Sequence, residues 1–310
     1  MRVRILFAGT PETAVPSLLR LVEAGHDVVA VLTRAPARAG RSHKLRNSAV
    51  HDAAERLGIP VLTPTSLRNA EIREQIVELA PQAVAVVAYG LIIPSELLDV
   101  PTHGWINLHF SLLPAWRGAA PVQYAIAAGD EITGASTFRI EKGLDTGPVF
   151  GMVTEQIKPT DTSGDLLERL AGSGAELLAQ TFSLLESGQA VATAQQGVPS
   201  HAPTISTQAA KVNWQHPAVA IERHIRSLTP APGAWTLLAG SRVKLGPVTQ
   251  VPTVTDLGPG ELREDLVGTG SHALRLGWVA PAGKKQMLAT DWLRGARLEP
   301  GMSFDLEDAE

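Results

Sequence analysis

The stretch that decides the fold spans residues 83–110 and reads AVAVVAYGLIIPSELLDVPTHGWINLHF. Two apolar runs lie at its ends, at 83–88 and 104–110. Each run has the length of one strand and is apolar almost throughout, which is typical of a strand covered on both faces. We therefore predict two buried strands in this stretch.

Similar runs occur upstream of this stretch. RVRILFA (2–8) and DVVAVLT (27–33) are rich in β-branched and aliphatic residues, and a shorter run follows at 60–62. Helical patterns lie between the strands, near 15–24, 48–57 and 69–79. The alternation of buried strands with helices predicts an α/β fold with a doubly wound, mostly parallel sheet.

Downstream of the stretch the pattern changes. EITGASTFRI (131–140) alternates polar and apolar residues, as an antiparallel or edge strand does, and a further strand is expected at 149–157. Asp161 or Thr162 is placed to cap a helix that ends near Glu186. The segment 34–46 has no useful period, and we predict a loop there.

The last third of the chain has a different composition. Residues 188–208 are rich in Gly, Gln, Pro, Ser and Thr and lack a period, which indicates a linker. One helix is expected at 218–228, followed by short strands between Gly and Pro turns, a pattern typical of a small β-barrel or sandwich. We therefore predict three parts, which are a first domain at 1–188, a linker at 189–208 and a β domain at 209–310.

The composition excludes several classes of protein. The 310 residues contain no cysteine, which excludes disulfides and thiol catalysis, and the nine histidines show no metal-binding spacing, so no metal is expected. No apolar run approaches the roughly 18 residues that a membrane span needs, and the N-terminus lacks a signal-peptide cleavage site. We expect a cytoplasmic protein that does not enter a membrane.

Positive charge is concentrated locally although the net charge is −4. The segment 34–46 holds five Lys or Arg residues and no acid. From Ala209 onward there are 11 basic and 11 acidic residues, and four of these acids lie in the last six positions. The basic segment is either an ordinary solvated charge run or a loop that grips phosphates. Local basic patches suit a partner that is charged in one place.

Polar residues at the ends of two predicted strands are candidates for a site. Asn107 and His109 are two residues apart, so both side chains lie on one face of the strand. Asn can donate to a developing oxyanion and His can transfer a proton near neutral pH, which an acyl-transfer site requires. A core pair that fixes the next loop is the alternative. Tyr89 and Gly90 end the preceding strand and are candidate cleft residues, although a strand end needs a turn in any case.

Asp145 adds a carboxylate to this candidate site. It lies in a tight loop between Gly143 and Gly147, where a carboxylate can be presented to a neighbour. A carboxylate beside an imidazole raises its pKa and orients its ring. The alternative is that Asp145 only caps its own turn, which is common for Asp.

With these motifs assembled, the sequence resembles the methionyl-tRNA formyltransferase family. The resemblance extends over nearly the whole chain, apart from the acidic tail. It is carried by GTPETAVPSL (9–18), AYGLIIP (88–94), INLHFSLLPAWRGAAPVQ (106–123), GLDTGPV (143–149), IRSLTPAPGAW (225–235) and APAGKKQM (280–287).

The resemblance implies a fold and a reaction. It implies a Rossmann-like first domain and an OB-like C-terminal domain that contacts tRNA. The implied reaction transfers a formyl group from 10-formyltetrahydrofolate to the amino group of methionine on initiator tRNA. Carried over by motif, Asn107, His109 and Asp145 are the catalytic residues. We also expect a monomer.

The resemblance also implies two binding segments. The folate-contacting segment is Ser111, Leu112, Leu113 and Pro114. In the family, the loop that matches 34–46 enters the tRNA acceptor end, and Arg41 matches its key arginine. We therefore expect Arg38, Arg41 and Lys44 to contact tRNA.

The sequence departs from the family pattern in two places. Phe110 stands where the family often has Gly, although its side chain should point away from the Asn107 and His109 face. The basic loop lacks the Pro-Asp expected near its start. Other acceptors remain as alternatives, namely a sugar-nucleotide amine, glycinamide ribonucleotide, or water in a hydrolase that releases formate. A non-catalytic tRNA- or folate-binding protein is the alternative from a different class.

Overall fold

A computed structural model describes residues 2–39, 44–296 and 301–306. The chain divides into two compact units. One consists of Met1–Gly118, Ile132–Gln156 and Leu167–His201, and the other of Ala119–Glu131, Ile157–Leu166 and Ala202–Glu310. The domain boundaries given above from the sequence stay a prediction.

The helices and strands of the described residues have the following bounds. The helices are α1 (Val15–Glu23), α2 (Ala49–Leu57), α3 (Ala70–Glu78), α4 (Ser95–Leu98), α5 (Pro121–Ala128), α6 (Ser163–Glu186), α7 (Ala218–Ser227) and α8 (Ala289–Ala296), with a 3-10 turn at Glu12–Ala14. The strands up to Gln156 are β1 (Arg4–Gly9), β2 (Asp27–Leu32), β3 (Ala37–Ala39), β4 (Lys44–Arg46), β5 (Val61–Leu62), β6 (Ala83–Val87), β7 (Trp105–His109), β8 (Arg117–Gly118), β9 (Ile132–Arg139) and β10 (Val149–Gln156). The later strands are β11 (His201–Ala202), β12 (Trp235–Leu238), β13 (Ser241–Leu245), β14 (Thr249–Val251), β15 (Leu262–Arg263), β16 (Leu266–Val267), β17 (Ala273–Arg275), β18 (Trp278–Pro281) and β19 (Met287–Leu288).

The first unit contains a seven-stranded sheet in the order β10-β9-β7-β6-β1-β2-β5. Strands β5, β2, β1, β6 and β7 run parallel. At one edge β9 pairs antiparallel with β7, and β10 pairs antiparallel with β9. All five residues of β6 are buried, which explains its continuous apolar sequence. The predicted α/β fold with a mostly parallel sheet is therefore confirmed.

The strand order reverses between β1 and β6, which is where ligands enter open sheets of this kind. The Thr10 hydroxyl, just beyond β1, donates to the carbonyl of Tyr89, just beyond β6, at 2.8 Å. This bond joins the carboxyl ends of the two strands. Strand β7 lies beside β6, so its own carboxyl end, which carries Asn107 and His109, opens at the same edge.

Helix α6 packs behind β7. A Cβ atom on Gly174 would lie 2.9 Å from Cδ2 of Leu108, so the missing side chain lets the helix approach the strand. Leu108 alternates with Asn107 and His109 and therefore lies on the opposite face. The start of α6 is capped by Thr162, whose Oγ1 accepts from the Asp165 amide at 3.2 Å, while Asp165 accepts from the Thr162 amide at 2.9 Å. The capping role predicted for Thr162 is confirmed.

Three local predictions need correction. The segment 34–46 is not a loop throughout, because Ala37–Ala39 and Lys44–Arg46 pair as antiparallel strands. Helix α5 was not predicted, since its sequence PVQYAIAA is apolar on most sides and shows no clear helical period. Helix α8 lies where only strands were expected, and its eight residues are too few to give a clear pattern.

The second unit contains two four-stranded sheets of short strands, in the orders β12-β13-β18-β19 and β14-β17-β16-β15. Its core includes Trp214, stacked on Phe304 with ring centroids 5.1 Å apart, and Trp292 on Phe304 at 6.4 Å. Among the helices of the described residues, none is long and apolar enough to cross a membrane.

The contact between Gly174 and Leu108 predicts a difference between two glycines of one helix. Gly174→Val should lower the free energy of unfolding by about 1–3 kcal/mol, because the new side chain must displace Leu108. Gly172→Val is the matched control, since a Cβ there meets nothing within 4 Å. Urea unfolding of both variants measures the difference, and equal effects would show that the helix is not held close to β7 at Gly174.

Candidate active site

The candidate site is built on the end of β7. Asn107 lies opposite Phe138 of β9, and His109 lies opposite Ser136. His109 is buried, with 6% of its surface exposed, whereas Asn107 is half-buried. The period of the strand places both side chains on one face, as predicted, and this is the face opposite Leu108 and α6. A strand with neighbours on both sides is a rigid support for two side chains that must act together.

The two ring nitrogens of His109 face different groups. Nε2 lies 2.9 Å from the carbonyl oxygen of Trp116. A carbonyl can only accept, so Nε2 carries the hydrogen of this bond. Nδ1 lies 3.8 Å from Oδ2 of Asp145. In the neutral ring Nδ1 has no proton, and a proton added there would face the carboxylate.

The surroundings of His109 act on its pKa in opposite directions. Burial lowers the pKa below its ordinary value, while the Asp145 carboxylate and the Trp116 carbonyl raise it, and the pKa is lowered on balance. The edge-to-face contact with the Phe138 ring, at 6.4 Å and 86°, is part of this apolar enclosure. The ring is therefore neutral at pH 7 and can accept a proton, with Asp145 beside it to stabilise the charged form.

Asp145 is held by bonds from another segment of the chain. Its backbone has φ 51°, in the left-handed region. Its Oδ2 accepts from the amide of Gly118 at 2.8 Å, across 27 residues of sequence. A Cβ atom on Gly147 would lie 1.7 Å from the Arg139 carbonyl oxygen, so this loop packs against β9 without room for a side chain. The carboxylate therefore does more than cap its own turn.

The segment after His109 folds back onto β9. The Ser136 hydroxyl donates to the Ser111 carbonyl at 2.6 Å and accepts from the Leu113 amide at 3.1 Å. The Ser111 hydroxyl donates to the Ala115 carbonyl at 2.5 Å. Leu113 is buried against Phe138, and Leu112 and Pro114 are half-buried. Folate contact by this segment stays a prediction, as does the orientation of Phe110, which is 8% exposed.

Tyr89 and Gly90 lie at the end of β6, as predicted. The Tyr89 ring is 2% exposed and packs in a core cluster with Leu97 and Trp105. Burial raises the pKa of its hydroxyl far above the ordinary value. Gly90 has φ 83°, a turn conformation that suits glycine. The role of Tyr89 and Gly90 in the cleft stays a prediction.

The predicted tRNA-contacting residues are described only in part. Arg38 and Lys44 lie on the paired strands β3 and β4. Arg41 lies outside the described residues. Their contact with tRNA therefore stays a prediction from the sequence.

Three residues of this site were not predicted from the sequence. Trp116 supplies the carbonyl for His109, and Gly118 supplies the amide for Asp145. Gln195 donates to the Asp145 carbonyl at 2.8 Å. The two backbone groups leave no recognisable pattern in the sequence. The positive φ angles at Trp116 (57°) and Gly118 (126°) show that the chain bends sharply here. Gln195 lies in the predicted linker.

The fold is Rossmann-like, and the polar side chains at the end of β7 are of the kind that suits an enzyme class that transfers acyl groups. Residues 1–182 match the family described as "Formyl transferase", and residues 204–297 match "Formyl transferase, C-terminal domain". The methionyl-tRNA formyltransferase of Paenarthrobacter aurescens (strain TC1) is 57% identical over 307 residues, 98% of this chain and 100% of that protein. The chain therefore belongs to the methionyl-tRNA formyltransferase family.

Solved structures share the fold at low sequence identity. The methionyl-tRNA formyltransferase from Clostridium thermocellum superposes with a TM-score of 0.55 at 15% identity, over 80% of this chain and 94% of that one. HypX from Aquifex aeolicus in complex with tetrahydrofolic acid gives a TM-score of 0.63 at 16% identity, over 94% of this chain and 47% of that one. This chain thus spans about half the length of HypX.

The opposed influences on His109 predict the effect of removing one of them. Asp145→Asn keeps an oxygen that can accept from Gly118 but removes the negative charge that raises the pKa of His109. The pKa of His109 should therefore fall below that of the unsubstituted protein. Titration of carbon-13-labelled histidine rings by NMR, with His109 assigned by its loss in His109→Asn, measures this. A pKa that is unchanged or higher would show that Asp145 does not act on the ring.

Proposed function

We propose that this chain transfers the formyl group of 10-formyltetrahydrofolate to the amino group of methionine on charged initiator tRNA, giving N-formylmethionyl-tRNA. The observation that carries the proposal is the arrangement of Asn107, His109 and Asp145 at the carboxyl end of β7, in a chain of this family. The family relationship supplies the acceptor and the co-substrate, and the site supplies a means of acyl transfer.

The reaction exchanges one nitrogen for another on the formyl carbon. The uncharged amine of methionine attacks this carbon, and the carbonyl oxygen becomes an oxyanion in a tetrahedral intermediate. The bond from carbon to N10 of the folate then breaks, and the oxyanion returns to a carbonyl. One proton leaves the attacking nitrogen and one reaches N10, so no net proton is released.

The side chain of Asn107 is suited to stabilise the developing oxyanion by hydrogen bonding. Its carboxamide has two N–H donors, and this side chain makes no hydrogen bond within the described part of the chain. A donor fixed in advance at such a position stabilises the transition state by about 3–4 kcal/mol. Its place on a central strand keeps it from moving away when the charge forms.

His109 and Asp145 are suited to accept and hold the proton that is transferred during the reaction. The neutral ring has its free position at Nδ1, which faces Asp145. A proton that enters this pair is held between the ring and the carboxylate, and the Trp116 carbonyl holds the other side of the ring. Burial keeps the ring neutral before the reaction, and the carboxylate stabilises its charge during it.

The surface of the segment Ser111–Pro114 has the chemical character that a folate co-substrate requires. Leu112 and Pro114 are half-buried and offer apolar surface to a flat aromatic group. The backbone beneath them is fixed by Ser136, so this surface is preformed. These features support the assignment of Ser111, Leu112, Leu113 and Pro114 to folate binding.

The tRNA is bound by the basic segment and the C-terminal part of the chain. Arg38, Arg41 and Lys44 lie in a segment with five basic residues and no acid, which suits a phosphate backbone. Residues 209–310 form an OB-like domain, a proposal supported by two sheets of short antiparallel strands. Residues 1–188 are the catalytic domain and 189–208 the linker, close to the bounds of the two family matches. The enzyme acts as a monomer in the cytoplasm, where its tRNA is used.

A transfer assay with several acceptors tests the function. The purified chain is given formyl-labelled 10-formyltetrahydrofolate with charged initiator tRNA, charged elongator methionine tRNA, glycinamide ribonucleotide or an amino sugar nucleotide. We expect transfer to initiator Met-tRNA and little to the others. Transfer only to another acceptor, or release of formate without an acceptor, would contradict the proposal.

Loss of the proposed oxyanion donor should affect turnover rather than binding. Asn107→Ala should lower kcat by about 100- to 1000-fold, because the bond forms mainly in the transition state. Equilibrium binding of 10-formyltetrahydrofolate should change little. Unchanged turnover, or a loss of affinity as large as the loss of turnover, would remove Asn107 from this role.

Loss of the proposed tRNA contact should affect the use of Met-tRNA and leave the binding of folate unchanged. Arg41→Ala should lower kcat/KM for Met-tRNA while the affinity for folate stays the same, because the proposed contact of this arginine is with the tRNA. Arg68→Ala, at an exposed arginine outside the basic segment in sequence, is the control. An equal loss of folate and tRNA affinity in Arg41→Ala would show a general disturbance instead.

A further inference from the structure

We propose that Gln195 is a positioning residue that holds the loop of Asp145 at its distance from His109. This inference rests on the proposed function for its kinetic test only. Gln195 lies in the segment predicted as a linker, 50 residues from Asp145 in sequence. Its role is carried by four hydrogen bonds of one side chain.

Both the nitrogen and the oxygen of the Gln195 carboxamide form hydrogen bonds. Nε2 donates to the carbonyl oxygens of Asp145 and Gly147, each at 2.8 Å. Oε1 accepts from Nε of Arg117 at 3.1 Å and from Nη2 of the same guanidinium at 2.6 Å. A carboxamide has two donor hydrogens and two acceptor lone pairs, so its capacity is filled. The orientation is also determined, since a guanidinium only donates and a carbonyl only accepts.

These bonds close a ring between the segment 116–118 and the loop of Asp145. Gly118, which follows Arg117, donates directly to the Asp145 side chain at 2.8 Å. Gln195 joins Arg117 to the Asp145 backbone from the other side. The loop of Asp145 is therefore held at its carboxylate and at its main chain. Trp116, in the same segment as Arg117 and Gly118, also contacts His109, so one segment sets the position of both partners.

Gln195 is itself anchored to the sheet. Thr193 exchanges two backbone hydrogen bonds with Val149 of the edge strand β10, at 2.8 and 2.9 Å. Further along, Ser200 accepts from the Trp116 amide through its hydroxyl at 2.8 Å and from the Arg117 amide through its carbonyl at 2.9 Å. The segment that carries Gln195 thus connects a sheet edge to the loop at the site, which gives its side chain a fixed base.

The position of Asp145 matters because its contact with His109 is long. At 3.8 Å the carboxylate acts on Nδ1 mainly through its charge, because the distance is too long for a hydrogen bond between the two side chains. Among the described residues, Asp145 is the charged group that raises the pKa of the His109 ring. If the loop moves outward, this influence weakens and the ring becomes harder to protonate.

Two variants of Gln195 and a control variant at the next residue test the positioning role. Gln195→Met has a similar size but makes none of the four bonds, and Gln195→Glu still accepts from Arg117 but cannot donate to the two carbonyls. Both should lower kcat for transfer to Met-tRNA by about 10- to 100-fold, as expected for a displaced catalytic group, with KM values within about twofold. Gln196→Ala, at the exposed next position, should leave kcat unchanged.

The NMR titration of His109 separates positioning from a merely structural effect and does not depend on the acceptor. The pKa of His109 should be lower in Gln195→Met than in the unsubstituted protein, in the direction expected for Asp145→Asn. An unchanged pKa would overturn the inference, and so would full activity of Gln195→Glu, which also serves the kinetic test if the methionine variant does not fold. If the unsubstituted protein does not formylate Met-tRNA, the proposed function fails and the titration alone decides the role of Gln195.

Discussion

An imidazole buried at the end of a central strand, with a carboxylate 3.8 Å from one nitrogen, is the arrangement on which the site depends. Burial favours the neutral ring, and the carboxylate favours the charged one. The proposed role of His109 in acyl transfer uses both, because the ring must be free to take a proton and must be stabilised once it has done so. The balance holds only while the distance between His109 and Asp145 is kept.

The structure keeps this distance with parts of different kinds. His109 sits on β7, between β6 and β9, with α6 packed closely behind it at Gly174. Asp145 sits on a loop, which alone would be a less exact support. The segment 116–118 compensates, since it contacts the ring of His109 and the carboxylate of Asp145. Gln195 adds the main-chain contacts that the carboxylate cannot make.

The sequence was sufficient for the parts of this arrangement that follow local rules. Buried parallel strands show as continuous apolar runs, and a period of two places Asn107 and His109 on one face. Asp145 was visible as a carboxylate between two glycines. The Gly118 amide that donates to Asp145 could not be predicted, because every residue except proline has a backbone amide. Gln195 was hidden for a related reason, since a polar residue in a segment without period resembles ordinary solvated chain. The pairing of β3 with β4 and the helix α5 depend on contacts that short or uniformly apolar segments do not reveal.

A double-mutant cycle for Asp145→Asn and Gln195→Met tests most directly whether the site depends on the placement of this one carboxylate. Groups that act through a shared interaction are not additive, whereas independent groups are. If Gln195 acts by placing the charge of Asp145, its loss should cost little further kcat once that charge is gone. Two losses of kcat that multiply in the double variant would contradict this and would show that Gln195 and Asp145 serve the reaction separately.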